Sequence, residues 1–214
     1  MCAVDVLLVE DDPSIASSLS DSLRAAGYGV THVGTGRAAI DELEAQSRAW
    51  AAGGAMPAPA AYAHQIAFNV LPQIGGLKPQ IPGYTSEEVK MLNETRKILG
   101  DDTIVCSSTC VRVPVFNAHS EVLNVEFHKP ITPEEARAIL EKSEGVQIVD
   151  DTANAKYPMP IHCSGKDDVY VGRIRVDPSC KNGLALFCCG DNIRKGAALN
   201  AVQIAEKMIA MGLK

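Results

Sequence analysis

Residues 4 to 10, VDVLLVE, form a short apolar run bounded by acids, the pattern of a buried parallel strand. Asp12 followed by Pro13 supplies a helix start, and Ile15, Leu19 and Leu23 recur at helical spacing up to Gly27. Gly29 to Val33 predicts a second strand and Arg37 to about Trp50 a second helix, so the chain opens β-α-β-α. Further on, Thr85 or Ser86 caps a helix carrying Val89, Leu92 and Ile98 and ending at Gly100. Strand-like segments follow at about 109–116 and 119–127, then a helix from Thr132 and Pro133 to about Gly145, then VQIVDD as a strand. DVYVGRIRV alternates with a register shift near Gly172, GLALFCCGD is another strand, and Ile193 to Met211 reads as a long closing helix. The pattern predicts an α+β protein (α/β overall) whose later part has a mixed, largely antiparallel sheet with flanking helices.

The stretch AAGGAMPAPAA at 51–61 has linker composition, and lysine, absent before Lys78, recurs from there to Lys214. The expected organisation is therefore an N-terminal segment over 1–50, a linker over 51–63, a main domain over 64–192 and a C-terminal helix over 193–214. A chain of 214 residues, 46% hydrophobic and 21% charged, can bury a sizeable core. A net charge of −6 disfavours nucleic acid and anionic membrane as partners. MCAVDVLLVEDD lacks the basic flank of a signal peptide, and no window is apolar enough to span a bilayer. The seven cysteines are odd in number with no C-x-x-C pair, which reads as reduced cytoplasmic thiols with no metal site.

Candidate chemistry begins with CVRVPVFNAHS at 110–120, where Arg112 and His119 have opposite strand parity. They serve one site only if the chain breaks between them, and Pro114 and Asn117 suit such a break. Arginine offers a planar bidentate grip on a carboxylate, and histidine as a residue type handles protons near neutral pH. Glu87 and Lys90, at i and i+3 on one helix face, fit either a binding pair or a surface ion pair, with Glu88 adjacent. GTGRAA at 34–39 has the outline of a dinucleotide loop, yet no acid stands about 20 residues on, so a simple turn is preferred. His64, His128 and His162 acquire no role.

LLVEDDPSIASSLSDSLRAAGYGV resembles the start of a response-regulator receiver domain, which implies that Glu10, Asp11 and Asp12 correspond to its Mg²⁺-holding acids. The third strand with its acceptor aspartate does not follow, because no acidic residue occurs between Glu44 and Glu87. Receiver phosphotransfer is not expected, and the three acids read as vestigial.

HQIAFNVLPQI, GYTSEEVKMLNETRKILG, CVRVPVFNAHSEVLNVEF, GKDDVYVGRIRVDPS and DNIRKGAALNAVQIAE together resemble the C-terminal portion of aspartate-semialdehyde dehydrogenase, over about residues 60–214. The resemblance implies a glyceraldehyde-3-phosphate-dehydrogenase-like domain. It also implies an activity: NADPH-dependent reductive dephosphorylation of 4-phospho-L-aspartate to aspartate semialdehyde, in lysine, threonine and methionine biosynthesis. In the roles it implies, His119 is the proton acceptor, Arg112 grips the substrate carboxylate, Glu87 faces its ammonium group, Lys90 binds phosphate and Gln203 lies near the nicotinamide of NADP. The implied partners are the small-molecule substrate, phosphate, and a second copy or an intact subunit, with the helix from Ile193 packing on a cofactor domain. The family's nucleophilic cysteine stands in an Asn-Cys context that occurs nowhere in this chain, and Cys106 and Cys110 are poor substitutes. The chain is therefore expected to be inactive alone, the alternatives being a non-catalytic dimerising fragment or a chimeric sequence.

Overall fold

The computed structural model describes residues 5–9, 21, 24, 25, 29–33 and 36–213. Glu10, Asp11, Asp12 and Gly34 lie outside the described residues, as does most of the helix expected between Asp12 and Gly27. The chain forms two compact units, Met1–Pro114 and Val115–Lys214.

In the first unit, β1 (Asp5–Val9) pairs in parallel with β2 (Gly29–Val33), and α1 follows over Gly36–Ala51. Two polar side chains of α1 hold the segment beyond it. Gln46, fully buried, accepts from the amides of Ile66 and Ala67 through Oε1 and donates to Glu42. The other carboxylate oxygen of Glu42 accepts from the amides of Ala60 (2.7 Å) and Ala61. Of the four main-chain donors so paired, those of Ile66 and Ala67 are on buried residues that would otherwise leave them unsatisfied. The Ala/Gly/Pro-rich segment at 51–63 thus lies within the same unit as α1, with its far end bonded to that helix.

Helix α2 (Ser86–Leu99) starts where expected, at Thr85, in a reciprocal capping box with Glu88, and stops at Gly100 in the left-handed conformation. The expected strand at 109–116 does not form. Only Arg112 is bridged, by two backbone bonds to Leu71, while Val111, Val113, Val115 and Phe116 are exposed. Pro114 lacks the donor a ladder needs, so the apolar run has no partner strand there.

The second unit is a four-stranded mixed sheet in the order β3-β6-β5-β4. Its strands are β3 (His119–Glu126), β4 (Val146–Ile148), β5 (Val169–Val176) and β6 (Gly183–Gly190). β3 and β5 run antiparallel to β6, and β4 runs parallel to β5. Helix α3 (Pro133–Leu140), with its own capping box at Thr132 and Glu135, buries Ala136 against Val171, Ile174 and Leu184. It ends five residues short of the expected Gly145, in tight turns from Lys142 and Ser143, because the chain must reverse through left-handed Gly145 to enter β4.

The register shift near Gly172 is present, with Arg173 at φ +58°. Asp150 stabilises it by accepting from the Arg173 and Ile174 amides and from Arg137 Nε at 2.7 Å, while Arg137 also donates to the Ile174 carbonyl. A short helix, α4 (Pro160–Cys163), buries Cys163 beside Ala118 and Cys189 on the sheet's other face. The closing helix is divided. Residues Arg194–Ala198 form a π-helical turn, and α5 (Leu199–Ala210) follows. The turn widens because the carbonyls of Asp191, Ile193 and Arg194 are each taken five residues on.

Candidate active site

The sequence-predicted residues fall into two groups, one in each unit. In the first unit, Arg112 lines a cavity with Tyr62, His64, Leu71 and Gln73, its guanidinium 5.6 Å from the Tyr62 ring centroid. The first turn of α2 carries Glu87 and Lys90, paired at 3.1 Å on the surface. Glu88 is committed elsewhere: its carboxylate accepts the Thr85 amide at one oxygen and the Cys110 amide at the other. Those backbone bonds, the Thr85 one foremost, hold its carboxyl below the usual range. Glu88 therefore ties α2 to the segment carrying Arg112, and of the two adjacent glutamates only Glu87 stands clear of the capping box.

In the second unit, His119 opens edge strand β3 directly after Ala118, whose φ of +79° marks a sharp turn. The ring lines a cavity of about 180 Å³ with Glu121, Cys188, Asp191 and Lys195. Pairing of Glu121 with Cys188 and of His119 with Gly190 places these residues along one face of the sheet. Lys195 Nζ donates to Gln203 Oε1 at 2.8 Å, so Gln203 is linked to the His119 cavity through a lysine that the sequence did not single out.

Cys188 and Cys189, equally unforeseen, also line that cavity. Burial, reinforced by the Glu121 carboxylate, pushes the Cys188 thiol up to about 12. Burial and the neighbouring Cys163 push Cys189 up to about 12 as well. Both stay protonated at neutral pH, which removes them as thiolate nucleophiles despite their position.

Asp191 is the opposite case. The amide of Gly165, together with those of Ile193 and Arg194 and the Asn117 side chain, outweighs its burial and brings its carboxyl from 3.8 down to about 2. The folded value lies below the unfolded one, so the stability Asp191 contributes is complete above about pH 4 and is lost as the pH falls toward 2. In urea unfolding of the parent and Asp191→Asn, the stability difference is expected to be constant from pH 7 to 5 and to shrink below pH 4. Among the described residues no cluster of histidines, cysteines or acids has metal-binding geometry, and no helix is long and apolar enough to cross a membrane.

The second unit thus presents a mixed sheet with a histidine at the head of an edge strand, lining one cavity with Lys195. The family model described as semialdehyde dehydrogenase, dimerisation domain, matches residues 30–195. The chain belongs to the semialdehyde dehydrogenase family. It is 51% identical over 180 residues to the aspartate-semialdehyde dehydrogenase of Aquifex aeolicus, covering 84% of this chain and 52% of that protein. It is 52% identical over 175 residues to that of Legionella pneumophila, covering 81% and 49%. The crystal structure of aspartate semialdehyde dehydrogenase II from Vibrio cholerae, complexed with ASA, superposes with a TM-score of 0.74 at 42% identity, covering 81% of this chain and 50% of that one. The chain thus spans about half the length of these relatives.

Proposed function

We propose that this chain carries the substrate-clamping and proton-handling half of an aspartate-semialdehyde dehydrogenase. The observation that carries the reading is the position of His119, exposed at a sharp turn on the lip of a cavity shared with Lys195. An exposed imidazole at a strand head can reach a reacting group brought against it from outside the sheet. In this reading Arg112 grips the substrate's α-carboxylate with its guanidinium fork, Glu87 faces the ammonium group and Lys90 takes phosphate.

The reaction in the oxidative direction needs a thiolate that attacks the aldehyde carbon. It then needs loss of hydride to give a thioester, and phosphate to open that thioester to the acyl phosphate. His119 takes the thiol proton as the tetrahedral centre forms. NADP, when bound, accepts the hydride. For that group this chain offers one wall, Gln203, half-buried and oriented by Lys195. The thiolate has to come from outside these 214 residues, since no Asn-Cys dipeptide occurs here and the thiols beside His119 are held protonated. The direct test is phosphate-dependent NADPH formation from aspartate semialdehyde by the chain alone and with a nucleophile-bearing half of a close relative.

The match beginning at residue 30 supports counting GTGRAAIDELEAQSRAW with the dehydrogenase, and so does the grip of Glu42 and Gln46 on residues 60–67. The receiver-like reading would then extend only over the first 29 or so residues.

A self-associating role is favoured by the outer edge of β3, unpaired among the described residues, where Val122 is 68% exposed. Sedimentation velocity of the purified chain is expected to give a dimer. A species that remains monomeric at high micromolar concentration would remove the homo-oligomer from this proposal.

A further inference from the structure

The two sides of the His119 cavity are fixed by one carboxylate. Asp191, only 4% exposed, accepts four hydrogen bonds. Its Oδ2 takes the Asn117 side-chain amide and the Gly165 backbone amide, both at 2.7 Å. Its Oδ1 takes the backbone amides of Ile193 at 2.8 Å and Arg194 at 3.0 Å. Asn117 precedes His119 by two residues, with left-handed Ala118 between them, and Asn117 also donates to Ser164 Oγ at 2.9 Å. Arg194 precedes Lys195, the residue on the other side of the cavity and the donor to Gln203.

The geometry points to Asp191 as the positioning residue of this site, setting the direction of the His119 ring through Asn117 and the placement of Lys195 through the π-helical turn. An ionised aspartate suits the task because it is acceptor-only and has room for four donors on two oxygens. A non-glycine residue at positive φ does not hold that conformation on its own preference, so the turn at Ala118 needs an external tie, and Asn117 to Asp191 is one. Lys195 is drawn in by the same group, since the wide turn that carries it begins at the Asp191 carbonyl, which accepts the Gly196 amide at 3.2 Å. Asparagine in place of Asp191 would keep one acceptor oxygen and turn a donor-only amide NH2 against donors now satisfied.

The catalytic meaning of this inference rests on the proposed role of His119, but the positioning itself is tested without turnover. The test records histidine ring NMR signals of the full chain in the parent, in Asp191→Asn and in Asn117→Ala. The expected result is that the His119 ring signals move or broaden in both variants while those of His64 and His128 stay in place. Unchanged His119 signals in a folded Asp191→Asn variant would overturn the inference. If Asp191→Asn does not fold, Asn117→Ala, which removes one donor of four, decides alone by the same criterion. Whether His119 carries a proton is read separately, from turnover with His119→Asn. Unchanged ring signals overturn the positioning even if His119 proves essential, and altered signals sustain it even if His119 proves dispensable.

Discussion

Gly172→Ala is expected to lower the melting temperature by roughly 6–12 °C, the consequence of about 3 kcal/mol of overpacking in a protein of this size. The cause is local and steric. A Cβ on Gly172 would lie 2.1 Å from the Val149 carbonyl oxygen and 2.7 Å from Pro158 Cδ. Neither neighbour is the flexible end of a side chain, so relief requires the backbone after β4 to move. That movement breaks the Val149 amide bond to the Val171 carbonyl, now 2.9 Å, and opens the bulge that Asp150 holds. Gly76→Ala is the control, because a Cβ there meets nothing within 4 Å. Thermal unfolding followed by circular dichroism checks both, and equal melting temperatures for the two variants would contradict this packing.

The second large effect concerns chemistry. In a mixture of this chain with a nucleophile-bearing half of a close relative, His119→Asn is expected to reduce turnover by about 10²–10⁴-fold, the range set by a positioned acid or base. Asparagine keeps much of the size and hydrogen-bonding capacity of the ring but cannot exchange a proton at neutral pH, so substrate affinity should change far less than kcat. A variant that turns over at the parental rate would assign the proton transfer to another group.

The sequence made some of this legible because local rules suffice where backbone donors are satisfied nearby. Thr85 with Glu88 and Thr132 with Glu135 are capping boxes readable from spacing, and both form. The break in alternation at Gly172 marked the bulge. What stayed hidden depends on partners distant along the chain. Glu42 and Gln46 look like two polar residues of an amphipathic helix, and only the fold brings residues 60–67 to them. The run at 109–116 has strand composition but finds only Leu71 to pair with, and a strand without a neighbour is not a strand. Asp191 resembles a turn residue after GLALFCCG, and its four donors come from three separate segments. Arg112 and His119 were recognisable only through the resemblance of long segments in order, since parity alone sets them apart.

In the proposed function these 214 residues hold the clamp and the proton carrier of an aspartate-semialdehyde dehydrogenase but not its thiolate. The measurement that bears on it most directly is NADPH formation from aspartate semialdehyde, NADP⁺ and phosphate by the purified chain alone, followed by absorbance. No phosphate-dependent turnover is predicted; robust turnover, abolished by His119→Asn, would mean that a nucleophile is present in this chain and that the account of its thiols is wrong.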